Sequence, residues 1–97
     1  MVYYKMKDYD LFGFEKATRH HKKYNAILIH KITGDTVKIP FGDNRYMHFR
    51  DLTGLNEYPE LSHNDELRRI RYMGRHSRDI KDGYYSPGFF SLFFLWG

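Results

Sequence analysis

Cysteine is absent from the sequence. Its absence excludes a disulfide framework and any zinc site built on thiolates, and it fits a reducing compartment. Long apolar runs are missing too. No stretch approaches the roughly 18 residues of a membrane-spanning helix, so no membrane contact is expected. Met1 to Asp8 contain no apolar core of a secretory signal, and none is expected there. There is no His-Glu-x-x-His spacing, no nucleophile elbow, no phosphate-binding glycine loop and no carboxylate pair in a clear motif. His20 and His21 are adjacent, which on a regular strand points them to opposite faces. His63 and His76 stand at the two ends of a predicted helix, too far apart along one rod to share a small ion. The same helix separates Asp65 from His76 as an acid/base pair. The expectation is therefore a protein that is not an enzyme, with no catalytic residue, no metal and no cofactor. A nuclease built on His76 and its basic neighbours is the enzymatic alternative.

Aromatic residues are plentiful instead: nine Tyr, eight Phe and one Trp, 19% of the chain. They bring a large buried area per residue, which lets 97 residues build a core. That length allows one domain at most. The net charge of +4 is unevenly spread. Residues 1–25 carry six Lys/Arg against three Asp/Glu, residues 26–61 four against five, residues 62–82 six against four, and residues 83–97 none. Two basic zones flank a neutral middle, an arrangement that permits a polyanionic partner without demanding one.

Residues 1–22 mix Tyr, Phe and Lys around Gly13 and read as an N-terminal arm, extended or a strand. Residues 23–97 read as a single small domain. Tyr24–Ile32 is rich in β-formers, with Ile27 and Ile29 on one face with Asn25 and Lys31, and Thr36–Phe41 alternates apolar and polar side chains; Thr33-Gly34-Asp35 between them is a turn signal, which predicts a β-hairpin. Pro40 belongs at an edge or a strand end. Tyr46–Phe49 reads as a third strand or one helical turn, and Asp51–Glu60 as a loop. Ser62, with Asp65 three residues on, reads as a shortened capping box opening a helix to about His76. Leu67, Ile70 and Met73 fall on one arc of it and are expected to be buried; Arg68, Arg71 and Arg75 fall on another and are expected to face outward, with Tyr72 and His76 beside them. Gly74 implies either a helix ending near His76 or close packing. Ser86 and Pro87 are a cap and first-turn residue for a second helix, apolar all round, with Phe89, Leu92, Phe93 and Trp96 on one face. The fold class is α+β: a small antiparallel hairpin or three-stranded sheet packed on two C-terminal helices.

The Arg68/Arg71/Arg75 stripe has three readings. It contacts phosphates, with Tyr72 available for stacking. It is a solvated face, or pairs with Glu66, Asp79 and Asp82. Or Arg and Tyr dock a protein partner. The aromatic tail completes the core, or offers surplus apolar surface to a neighbouring subunit.

His63-Asn64-Asp65, Arg68, Arg71-Tyr72 and Arg75-His76, followed by Ser86-Pro87-Gly88-Phe89-Phe90-Ser91 and the ending Leu95-Trp96, resemble blocks found in small, largely uncharacterised proteins of tailed phages and giant DNA viruses. Phe41-Gly42, Tyr46 and His48-Phe49 resemble the middle of those proteins, so the similarity covers roughly residues 24–96. The N-terminal arm and the loop Leu52–Leu61 depart from the pattern. The resemblance implies a viral or phage origin and an α+β layout, and it brings no activity. On it rests the expectation of a minor virion structural component docking on larger capsid, neck or tail proteins. The proposed contacts are Tyr3, Tyr4 and Phe12 of the arm and Arg68, Arg71, Tyr72, Arg75 and His76 of the helix. The expected location is the virion, or the host cytoplasm during infection. The alternative is an accessory protein that binds nucleic acid through the arginine face.

Overall fold

The computed structural model describes residues 3–97. Strand β1 (Tyr4–Lys5) is followed by β2 (Tyr9–Lys16), β3 (Lys22–His30) and β4 (Thr36–Asp43). After a long loop and a 3-10 turn at Pro59–Leu61 come α1 (Glu66–His76), a second 3-10 turn at Ser77–Asp79, β5 (Tyr84–Tyr85) and α2 (Pro87–Phe94). The order β2-β3-β4 makes an antiparallel three-stranded sheet, and β1 pairs with β5 in a separate two-stranded one. The fold is α+β, with both helices C-terminal to the main sheet.

Strands β3 and β4 form the expected hairpin, with Gly34 at φ +76° in the turn. Tyr24, Ala26 and Leu28 point to one face and meet Ile39 and Phe41 of β4; Phe90 and Leu95 close that core from the other side. Phe14 joins it edge-on to Phe41 and Phe90. On α2 and at its C-cap, Phe90, Leu92 and Leu95 are buried, while Phe93 is exposed. The alternation of β3 selects the inner face; Ile27 and Ile29 lie half-buried on the outer one.

Of the two readings for the start of the chain, a strand is what residues 9–16 form. The third strand of the sheet therefore precedes the hairpin, and Tyr46–Phe49 supplies only a single bridge, His48 to Ser62. A β-bulge between Leu11 and Gly13 leaves Phe12 unpaired and 72% exposed. Tyr4 is not free for a partner: it is half-buried and packs edge-on to Tyr9, at 5.3 Å between centroids. Tyr3 sits edge-on to Tyr84.

Helix α1 begins later than the sequence suggests. Asp65, not Ser62, is the N-cap: its carboxylate accepts from the backbone N–H of Leu67 and Arg68. Ser62 stays outside the helix because Asn64, at φ +53°, turns the chain before it. Ser86 caps α2 as expected, accepting from the Phe89 N–H with Pro87 in the first turn.

Candidate functional site

The face by which α1 meets the body is set by Trp96. Its ring stacks on Tyr72 at 4.0 Å with 2° between the planes. His76 lies against Tyr72 at 4.3 Å. Arg69 Nε donates to the Trp96 carbonyl, and the Arg69 guanidinium lies 5.4 Å from the Phe49 ring centre. At 100° per residue Arg69, Tyr72, Met73 and His76 share one arc, and this is the docking arc. Leu67 and Ile70 then stand at the opposite pole, 55% and 58% exposed. Their expected burial is overturned, and Met73 alone of the three is partly covered. The stack of Tyr72 on Trp96 and the Arg69 hydrogen bond both lie on this arc, and they leave Leu67 and Ile70 turned away from the body.

That rotation also redirects the arginine stripe. Arg68, Arg71 and Arg75 are solvent-exposed, yet they do not simply face outward. They line a cleft of about 560 Å³ between α1 and the segment that follows β4. Lys23, Asp43, Tyr46 and Met47 line the same cleft, as do Tyr72, His76 and Trp96. Gly42 belongs there too. Its φ of +74° is a conformation that side chains rarely adopt, and a Cβ would come within 2.8 Å of Leu95 Cδ1.

The charges in this cleft are unbalanced. Glu66 pairs with Arg69 at 2.9 Å, and Asp79 with His76 at 2.9 Å. Asp43, the one carboxylate in the cleft, takes two hydrogen bonds from the Arg45 guanidinium and one from the Arg45 N–H. These hold its carboxyl well below the usual range. Of the three carboxylates expected to pair with the stripe, Glu66 and Asp79 are thus engaged elsewhere, and Asp82 forms no ion pair with it. Among the described residues Arg68, Arg71 and Arg75 form no ion pair; Arg68 makes only a long contact of 3.8 Å to Met47 Sδ.

A buried polar chain ties the cleft walls together. Lys23 is 2% exposed, and its Nζ donates to the Tyr46 carbonyl at 2.8 Å and to His48 Nδ1 at 2.9 Å. Burial pushes the lysine down to about 8, against the pull of Asp43 and Asp51. Burial and the lysine charge push His48 down to about 4. An ammonium has donors only, so Nδ1 accepts, and Nε2 carries the proton and donates to Ser62 Oγ at 2.9 Å. This polarity matters for chemistry. A serine beside a histidine suggests a nucleophile and its base, but here the imidazole already holds a proton on the serine side and cannot take another. The chain is a tie from β3 through residues 46–48 to the entrance of α1. A second buried tie joins Tyr24, whose hydroxyl donates to Asp51 Oδ2 at 2.5 Å and accepts from the Glu57 N–H. Burial and the Asp51 carboxylate raise the Tyr24 hydroxyl pKa.

Of the residues singled out from the sequence, Arg68, Arg71, Tyr72, Arg75 and His76 come together in the cleft, while Tyr3, Tyr4 and Phe12 do not join it. Tyr72 is not available for stacking. Trp96 and His76 both lie within 4.3 Å of its ring without contacting each other, so they occupy opposite faces. Burial raises its hydroxyl pKa. Lys23 and Tyr46 were missed. Lys23 closes the basic run Arg19-His20-His21-Lys22-Lys23, where nothing in the sequence sets it apart from its neighbours; for Tyr46 the signal was an aromatic beside Asp43-Asn44-Arg45 in a turn. His20 and His21, expected on opposite faces, lie ring to ring at 3.6 Å because His21 takes φ +63° in a turn. Among the described residues no three His, Asp or Glu side chains are grouped to hold a metal ion, and no helix is long and apolar enough to cross a membrane. No family model, curated protein or solved structure matches the chain.

Proposed function

We propose that the chain is a non-enzymatic nucleic-acid-binding protein and that the α1 cleft receives the phosphate backbone. One observation carries this reading: three arginines on one helical arc, none neutralised by a carboxylate, lining a single concavity. Unpaired guanidiniums in a cleft have no folding role evident in their contacts, and they match phosphate oxygens in geometry and charge. Buried hydrogen bonds tie β3 to residues 46–48 and to the entrance of α1, so the backbone that carries the cleft is set before a ligand arrives. The test is fluorescence anisotropy with a labelled oligonucleotide over a range of salt. Binding should weaken steeply as salt rises, and Arg71→Ala should flatten the slope by about one phosphate contact. Absent or salt-insensitive binding rejects the reading.

A second reading has its own observation. Leu67 and Ile70 form an apolar pole on α1 that the described residues leave more than half exposed. Together with the likeness to phage and giant-virus proteins, this supports a minor virion component docking on larger particle proteins. Mass spectrometry of purified particles decides it, and absence of the protein from them removes it.

A further inference from the structure

We infer that the cleft takes a single strand in preference to a duplex, with Tyr46 as the ring on which a base stacks; this rests on the nucleic-acid reading above. Tyr46 is 65% exposed and lines the cleft. Its ring pairs with no other aromatic among the described residues, and the Arg45 guanidinium lies 5.8 Å from its centroid. Exposed as it is, it is not loosely held. Its carbonyl accepts from the buried Lys23 ammonium, and its N–H donates to the Asp43 carbonyl at 3.2 Å. Arg45 is clamped by Asp43, so the flanking cation is fixed as well. Tyr72 and Trp96 are already stacked on each other, which leaves Tyr46 as the cleft ring with a free face.

From Arg68 to Arg75 the helix rises about 10 Å. Each strand of a B-form duplex carries a charge roughly every 3.4 Å along the axis, so the stripe spans about three phosphates of one strand, and the choice between single strand and duplex rests on Tyr46. A duplex presents phosphates and groove edges but keeps its base faces stacked inside. A single strand presents phosphates and base faces together, and the cleft holds a partner for each.

The experiment compares a labelled single-stranded 10-mer, a duplex containing it, and inorganic polyphosphate as competitor. The wild-type chain should bind the single strand more tightly than the duplex. Tyr46→Ala should weaken single-strand binding about ten-fold and leave displacement by polyphosphate unchanged, while Tyr46→Phe keeps wild-type affinity. Arg71→Ala should weaken both probes. Only the backbone of Tyr46 is tied into the fold, so Tyr46→Ala is expected to keep its thermal unfolding midpoint, which serves as the control. Equal affinity for duplex and single strand, or equal loss for oligonucleotide and polyphosphate in Tyr46→Ala, overturns the single-strand inference and leaves the nucleic-acid reading standing. Failure of every oligonucleotide to bind overturns both and turns attention to an acidic protein partner.

Discussion

His48 holds two walls of the cleft at once, and it does so as a neutral ring. Its ordinary pKa is 6.5 and the folded chain lowers it to about 4. Between those values the unfolded chain binds a proton that the folded chain refuses. Stability is therefore fully present above pH 6.5 and is lost as pH falls through about 4. The complete loss is about 3 kcal/mol, from 1.36 kcal/mol per unit. Burial lowers His63 as well, in the same direction. In urea denaturation from pH 7 to pH 4, the wild-type midpoint should fall, and His48→Gln, which does not titrate there, should start lower at pH 7 but fall less. An equal fall in both proteins would show that His48 is not the group responsible. A charged Lys23 raises the stakes at this site, because its removal leaves the buried His48 Nδ1 and the partly buried Tyr46 carbonyl without a donor.

At the scale of the element, α1 shows which local signals survive tertiary packing. The grouping of Arg68, Arg71 and Arg75 was legible because 3.6-residue periodicity is a property of the helix alone. What the arc faces was not, since the other wall comes from residues 42–47 and the docking direction is set by Trp96, 24 positions beyond Tyr72. Ser62 was a plausible cap by type, but its hydroxyl is committed to His48, fourteen residues upstream. Ser86 and Pro87 were read correctly because both of their roles are local. Strand β2 was half hidden: the bulge at Phe12 shifts the alternation, so Leu11 and Phe14 share the core although their spacing is odd. Gly74 gives this element a test. The helix ends at His76, as one of the two readings of Gly74 expects, and close packing is overturned, for a Cβ there meets nothing within 4 Å. Gly74→Ala should stabilise the protein by about 1 kcal/mol and raise the unfolding midpoint by about 4–8 °C. A lower midpoint would mean that Gly74 is needed for its backbone and not merely tolerated.

At the scale of the molecule, the core and the cleft share their supports. Tyr24, Phe41 and Phe90 fill the space between sheet and α2, while Lys23 and Gly42, their neighbours in sequence on β3 and β4, line the cleft. Leu95 belongs to both, buried in the core and lining the cleft. Two surfaces remain on α1 with opposite chemistry: the cationic cleft and the Leu67/Ile70 pole. The first is concave and its arginines are unneutralised, and that is the basis for placing the ligand there. The most direct measurement is the dependence of oligonucleotide affinity on salt for the wild-type chain, for Arg68→Ala/Arg71→Ala/Arg75→Ala, and for Arg78→Ala, whose arginine lies outside the cleft. Three phosphate contacts on a single strand give a slope of log affinity against log salt of about −2. The triple variant should bring that slope close to zero and Arg78→Ala should leave it unchanged. A triple variant that keeps the wild-type slope would contradict phosphate binding in this cleft.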